Sequence, residues 1–232
     1  LARGQSDEII KIVSKESERA GQKDIDAVAD SLIMLASLYK DYGYREDAQK
    51  LFEKSVAIRR SEGKQKELAD ALTVMADHLA DSTKTEDLSR AAVLYDEAAA
   101  TTLKSISRTS HVSSDSKDPI VDEGSISFST EAIREKKAMV FEKQKKLEEA
   151  RMLWEQCLHD IEREAGNNTD EWFIVNRHLA SICFELKDYE HARKFYEQTI
   201  ALNQKGIRPE GVKFEDVLNE YKLLARDYNP LK

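Results

Sequence analysis

The stretch "EEARMLWEQCL", residues Glu148–Leu158, returns in altered form forty-two residues later as "EHARKFYEQTI", residues Glu190–Ile200. In both stretches an alanine is followed, four positions later, by a large aromatic residue and then by an acid. The same order occurs four times in the chain, at Ala48/Phe52/Glu53, Ala91/Tyr95/Asp96, Ala150/Trp154/Glu155 and Ala192/Tyr196/Glu197. Self-similarity at a regular interval indicates a repeat protein whose copies pack on one another.

A second pattern precedes each of these motifs, with a small residue followed three positions later by a large apolar one. The pairs are Ala36/Tyr39, Ala76/Leu79, Ala138/Phe141 and Ala180/Cys183. In the first copy Leu32, Leu35, Ala36 and Tyr39 share one helical face. The two patterns together predict a hairpin of two helices, repeated four times. One hairpin cannot bury its apolar stripe alone, so the hairpins are expected to stack.

The predicted fold class is therefore all-α, a right-handed α-solenoid of stacked antiparallel helix hairpins forming a single domain over residues 1–232. With 8 glycines and 3 prolines in 232 residues, the chain has few helix breakers, which fits this architecture. The predicted parts are a lone N-terminal helix over 6–21, repeat 1 over 28–63, repeat 2 over 68–104, a serine-rich loop over 105–127, repeat 3 over 129–166, repeat 4 over 171–206 and a C-terminal capping helix over 214–228.

The repeat resembles the tetratricopeptide repeat, whose pattern is W-x2-L-G-x2-Y followed by A-x3-F over 34 residues. The residues that match it in order in the first copy are Leu32, Leu35, Ala36, Tyr39, Ala48 and Phe52. The longer interval of about 42 residues is similar to the kinesin-light-chain type of repeat. The resemblance implies a non-catalytic adaptor that binds a partner peptide or helix along the concave wall formed by its first helices, within a larger assembly.

The composition excludes several other classes. The net charge is −8 and there is no long run of lysine and arginine, so nucleic-acid binding is not expected. No run of about 18 apolar residues is present, so no membrane span is predicted. Cys157 and Cys183 lie on apolar helical faces without metal-ligand spacing, which favours buried thiols in a reducing, cytoplasmic setting. Organelle targeting before Leu1 stays open.

No catalytic constellation stands out. The five histidines lack the spacing of a metal site, and there is no phosphate-binding loop or nucleophile elbow. The sequence therefore predicts no enzyme activity, no cofactor, and no catalytic or metal-binding residues.

What remains is the surface of the first helices, whose non-packing positions form a candidate partner-binding groove. Its N-terminal half is acidic, which predicts a protein partner with a basic segment. A clamp for chaperone tails is not expected, because Lys136 is the single suitable cation at the matching positions. A permanently packed structural subunit is the alternative, and a large apolar patch would favour it. The predicted groove residues are Asp30, Ile33, Ser37, Asp41, Asp70, Thr73, Asp77, Asp81, Glu135, Met139, Arg177, Ser181 and Phe184, with Glu142, Ile174, Lys222 and Arg226 beside them.

The serine-rich stretch over 105–127 has no helical period and is predicted to be a loop. Three roles are open for it: a solvated insertion, a regulatory segment, or a pseudo-ligand in which residues 118–128 lie across the groove. The regulatory reading rests on serines that would accept phosphate, at Ser110, Ser113, Ser114 and Ser116.

Overall fold

A computed structural model describes residues 22–110 and 123–228, together with residues 8, 9, 11, 12 and 15. Every regular element within these residues is an α-helix, which confirms the all-α class. The helices are α1 Gln22–Asp41, α2 Arg45–Glu62, α3 Gln65–Ala80, α4 Thr85–Ser110, α5 Glu123–Lys143, α6 Leu147–Glu164, α7 Asp170–Glu185, α8 Tyr189–Gln204 and α9 Phe214–Asp227.

The helices of repeats 1, 2 and 4 pair as the sequence patterns predict, and the chain divides into two compact units, residues 1–133 and 134–232. In the first unit α1 packs on α2 and α3 on α4, and α2 and α1 both contact α3. In the second unit α6 packs on α7, α7 on α8, and α9 closes against α8 and α7. The described residues of each unit are thus helical hairpins of the stacked, solenoid-forming type.

The alanine and aromatic positions of the repeat form the two cores. All eight motif alanines are fully buried. Their small side chains let the paired helices approach closely. Tyr39, Phe52 and Tyr95 are at most 2% exposed in the first unit, and Trp154 and Tyr196 are fully buried in the second. Truncating such side chains is costly because the surrounding structure relaxes only partly. The predicted register of the repeats is therefore confirmed.

The turns inside three hairpins share one hydrogen-bonded geometry. The residue after the turn donates its backbone N–H to a carbonyl five residues back, from Tyr44 to Tyr39 at 2.8 Å and from Asp188 to Cys183 at 2.8 Å. Gly43 takes the required left-handed conformation in the first repeat, with φ 82°. Lys145 and Lys187 take it in the third and fourth, at φ 58° and 63°, where a side chain adds strain.

Both ends of the predicted serine-rich loop are helical. Helix α4 continues to Ser110, and α5 begins at Glu123, so residues 105–110 and 123–127 are helical. Helix α4 accommodates its serines: Ser105 donates to the carbonyl of Thr102 at 2.7 Å, and Ser107 donates to that of Leu103 at 3.1 Å. These bonds satisfy the hydroxyls inside the helix.

The rest of that stretch and most of the predicted N-terminal helix lie outside the described residues. This applies to Ser113, Ser114 and Ser116, whereas the backbone of Ser110 ends α4. Of residues 6–21, the five that are described are helical. At the other end, α9 covers the predicted capping helix, and its Val217 and Leu224 are buried in the core of the second unit.

Candidate interaction surface

The first-unit part of the predicted groove lies on α1 and α3. None of its eight predicted residues is fully buried: the four acids Asp30, Asp41, Asp70 and Asp81 are exposed, and the other four residues are partly buried. Ser37 and Thr73 direct their hydroxyls to carbonyls of their own helices, at 3.0 Å and 2.9 Å. The residues that define the remaining chemistry of this wall are Ile33 and the acids Asp30, Asp41, Asp70, Asp77 and Asp81.

Three of these five acids have partners within the first unit. Asp77 accepts a hydrogen bond from the hydroxyl of Tyr95 at 2.6 Å, so the phenol stays protonated and its pKa is raised by burial and by this bond. Asp81 forms a 2.6 Å ion pair with Lys40. Internal partners therefore compensate part of the negative charge that the sequence alone assigned to the groove.

Asp30 belongs to a network centred on Arg59, whose side chain is 3% exposed. The guanidinium binds Asp30 and Asp26 at 2.5 Å each and Glu62 at 3.2 Å, and Lys64 pairs with Asp26. A buried charge is tolerated when such partners surround it. The network ties α1 to the end of α2, so Asp30 has a structural role besides its place on the wall.

Asp41 and Asp70 differ from the other three acids. No ion pair or side-chain hydrogen bond reaches either carboxylate from the described residues. Both residues are exposed, yet desolvation of its carboxylate raises the pKa of Asp70. These two acids are the part of the wall's charge that is most open to a cationic guest.

Helix α1 also exposes an apolar stripe that the sequence reading missed. Met34 and Leu38 of α1, and Tyr42 directly after its end, follow one another at four-residue intervals and are 70%, 50% and 70% exposed. Spacing of this kind places side chains on one face of a helix. The run "LIMLA" at residues 32–36 indicates this stripe, because consecutive apolar residues lie on different sides of a helix and one neighbouring helix cannot cover them all.

The second-unit part of the groove lies on residues 134–143 of α5 and on α7. The five predicted residues there, Glu135, Met139, Arg177, Ser181 and Phe184, are again partly or fully exposed, as is the neighbouring Glu142. Desolvation, and then the charge of Glu171, raises the pKa of Glu135. Arg177 lies 3.6 Å from Glu220 of α9, so its charge is shared with the capping helix.

Glu142 connects this wall to the core. It accepts the indole N–H of Trp154 at 2.5 Å, and the imidazole Nδ1 of His178 lies 2.9 Å from the same oxygen. The rings of Trp154 and His178 are stacked, with centroids 4.3 Å apart. This carboxylate of α5 thus holds side chains of two other helices, α6 and α7, and no local pattern indicates the contacts because the partners are 12 and 36 residues away.

The histidines and cysteines that the structure describes outside the walls are exposed or buried singly. His159 and His191 are exposed, as expected for a surface face, and no group of three or more metal-ligating side chains is found in the described ranges. Cys157 and Cys183 are buried, and burial raises the pKa of Cys183 to about 11, opposite to the shift of a reactive thiolate. None of the described helices combines the length and apolarity needed to span a membrane.

Comparisons with known proteins agree with this geometry. The tetratricopeptide repeat family matches residues 129–205 and, through a second form of the repeat, residues 28–62. The fold is similar to that of BtubC (BKLC) from P. vanneervenii, with a TM-score of 0.63, 15% identity, and coverage of 96% of this chain and 81% of that one.

A kinesin-light-chain protein of Podosopora anserina with nearly identical TPR-like repeats gives a TM-score of 0.63 at 17% identity, covering 89% of this chain and 90% of that one. At such identities the likeness concerns the fold. A comparison with curated proteins gave no significant match. The two family matches and the repeated alanine and aromatic core support tetratricopeptide repeats over residues 28–62 and 129–205, and the solved structures share their fold.

Proposed function

We propose that this protein is a non-catalytic adaptor that binds a peptide or helix of a protein partner along the exposed walls of its first helices. The observation that supports the proposal is that none of the thirteen predicted groove residues is fully buried, although the opposite faces of their helices are. Tetratricopeptide repeats generally mediate protein–protein interaction. The walls fit that role, since they combine polar side chains with isolated apolar ones such as Ile33 and Met139.

The first-unit wall favours a partner segment that carries lysine or arginine. Asp41 on α1 and Asp70 on α3 supply the charge that internal partners leave uncompensated, and Ile33 on α1 offers an apolar anchor. Exposed ion pairs contribute only about 0.2–1 kcal/mol each, so the affinity must also rest on apolar contacts. Association is then expected to be fast, salt-sensitive and of modest strength.

The alternative, a permanently packed structural subunit, is favoured by one observation, the exposed stripe of Met34, Leu38 and Tyr42. A stable interface would cover such a stripe. Changing all three residues to serine separates the two functions. An adaptor keeps its peptide affinity in this variant, whereas a structural subunit loses its place in the complex that a tagged wild-type chain enters.

The adaptor function is tested with a peptide selected on the intact chain from a displayed random library. Changing Asp41 and Asp70 to asparagine should weaken its binding about two- to thirtyfold at low salt, from two pairs of about 0.2–1 kcal/mol each. The matched control changes two exposed acids on second helices, Glu86 and Glu190, to glutamine and should leave the affinity unchanged. Equal effects of the two double variants would show that the acids act through net charge and not at the groove.

A further inference from the structure

A polar pocket of about 380 Å³ opens in the first unit beside the turn between α3 and α4. Its walls come from the first turn of α2, the last turn of α3 and the start of α4. It meets the predicted groove only at Asp81. Its charged and titratable lining residues are Arg45, Glu46, His78, Asp81, Lys84 and Asp87.

His78 is the buried polar group of this pocket. The residue is 2% exposed, and its ring packs on that of Phe52 with centroids 5.2 Å apart. Its Nδ1 is buried and has no hydrogen-bond partner among the described residues. Buried polar atoms are normally hydrogen-bonded, so an orphan of this kind beside a pocket marks a place that a ligand can complete.

The charges that act most strongly on His78 are those of two cations. Burial, and then the charges of Arg45 and Lys40, lower the pKa of His78, and these outweigh the opposing effect of Asp81. The imidazole is therefore neutral at pH 7. An anion placed beside it would offset the two cations and favour the protonated ring.

The cations of the pocket keep unused donors, whereas two of its three acids are engaged. Arg45 donates one bond, 2.9 Å long, to the carbonyl of His78, and neither Arg45 nor Lys84 has a carboxylate partner in the described part of the chain. Asp87 accepts from the hydroxyl of Ser82 at 2.6 Å, and Asp81 holds Lys40. The third acid, Glu46, lies in the first turn of α2, where the helix dipole stabilises it.

We propose that this pocket binds an oxyanion, a carboxylate or a phosphate group, through the guanidinium of Arg45, the ammonium of Lys84 and the imidazole of His78. The planar donor fork of arginine matches such groups, and charge-assisted bonds of this kind are among the stronger ones. The site lies at the end of the hairpins and does not depend on groove binding, so either proposal can fail while the other stands.

Binding of an oxyanion at this site should depend on pH, because it is linked to protonation of His78. A bound oxyanion raises the pKa of His78, so binding takes up a proton and strengthens as the pH falls. The groups that set the field around the ring are Lys40 from α1, Arg45 and Glu46 from α2, Asp81 at the end of α3, and Lys84 and Asp87 at the start of α4.

The test uses the intact ¹⁵N-labelled chain and three probes: inorganic phosphate, a short acetylated peptide with a free terminal carboxylate, and the same peptide as its amide. Saturable amide shifts at the pocket residues are expected with phosphate, with the carboxylate peptide, or with both, and none with the amide. Tighter binding of the peptide identifies a chain terminus as the source of the oxyanion, and tighter binding of phosphate identifies the free ion. No saturable shift, or shifts centred elsewhere, would overturn the proposal.

Variants then identify the donors. Arg45→Gln should weaken binding at least about tenfold, because a bond to a charged group is lost. That variant also loses the bond to the carbonyl of His78, so Lys84→Gln, which removes an exposed ammonium, is the second arm, with an expected loss of about two- to fivefold. The control is Lys66→Gln, which should bind the probes normally because Lys66 lies twelve residues before His78, about 18 Å away along α3.

His78→Gln should abolish the pH dependence of binding between about pH 5.5 and 7.5. The carboxylate peptide is the probe for this arm, because its own charge is constant over that range. Full affinity in both Arg45→Gln and Lys84→Gln, or pH dependence that persists without His78, would contradict the assignment.

Discussion

Replacing Trp154 by alanine tests the packing of the repeats in the second unit. The side chain is fully buried, its ring is stacked on that of His178, and its indole N–H donates a hydrogen bond to Glu142. Truncations of large aromatic core residues cost about 3–5 kcal/mol in the free energy of unfolding. We expect Trp154→Ala to reach that range.

Trp154→Phe divides this cost into its parts. Phenylalanine keeps most of the apolar contact with His178 but cannot donate to Glu142. The loss of a hydrogen bond to a charged group corresponds to about 1.5–3 kcal/mol. Glu142 keeps the imidazole of His178 as a partner, which places the expected value for Trp154→Phe at the lower end of that range.

The assay is denaturant unfolding followed by tryptophan fluorescence. The chain has two tryptophans, Trp154 and Trp172, and both lie in the second unit, so the signal reports that unit alone. Trp172 remains as the probe in the variants. The matched control, Met152→Ala, removes a side chain that is 60% exposed on the same helix and should change the free energy by less than about 0.5 kcal/mol. A loss below about 1 kcal/mol for Trp154→Ala would refute the proposed core register.

Three further predictions concern stability. Arg59→Ala should lower the free energy of unfolding, measured by far-UV circular dichroism, by roughly 2–4 kcal/mol. This is somewhat below the roughly 3–5 kcal/mol of a fully buried pair, because Asp30 is 65% exposed. The control Arg60→Ala removes a half-exposed side chain paired with Glu97 and should cost no more than about 1 kcal/mol. Lys187→Gly should stabilise the second unit by about 0.5–1 kcal/mol by relieving left-handed strain, whereas Lys187→Ala keeps the β-carbon and should give no gain. Burial opposes ionisation of Asp188, but the hydrogen bonds from His191 and Arg151 outweigh it and lower its pKa below 3.8. The ionised carboxylate therefore stabilises the second unit above about pH 4, and this stabilisation disappears as the pH falls through the folded-state pKa. Unfolding followed by tryptophan fluorescence should show a smaller loss of stability at acid pH in Asp188→Asn.

The helix pairing and the core could be predicted from the sequence because the signal is local. Ala150 and Trp154 are four residues apart on one helix, and the same pair recurs at Ala192 and Tyr196, so each copy tests the others. Burial of all these positions follows from the period of the helix. The boundaries of the serine-rich stretch were harder to predict. Its serine content indicated a loop, but serine is also tolerated in a helix when its hydroxyl bonds to a carbonyl of that helix, as Ser105 and Ser107 do.

The electrostatics of the groove could not be predicted in the same way. The partner of Asp81 is Lys40, 41 residues earlier, and the partner of Asp30 is Arg59 on the next helix. Such pairs depend on how the hairpins pack, and no local pattern encodes them. The surface positions themselves were predictable from helical spacing, whereas the charge they leave for a partner was not.

The adaptor account is tested most directly by the footprint of a selected partner peptide on the intact ¹⁵N-labelled chain. Amide chemical shifts are compared with and without saturating peptide, at low and at high salt. The account predicts that the largest shifts lie on the first helices α1, α3, α5 or α7, around residues such as Ile33, Asp70 or Phe184, and that they shrink at high salt when they fall on the acidic wall. Shifts confined to the second helices α2, α4, α6 and α8 would contradict it.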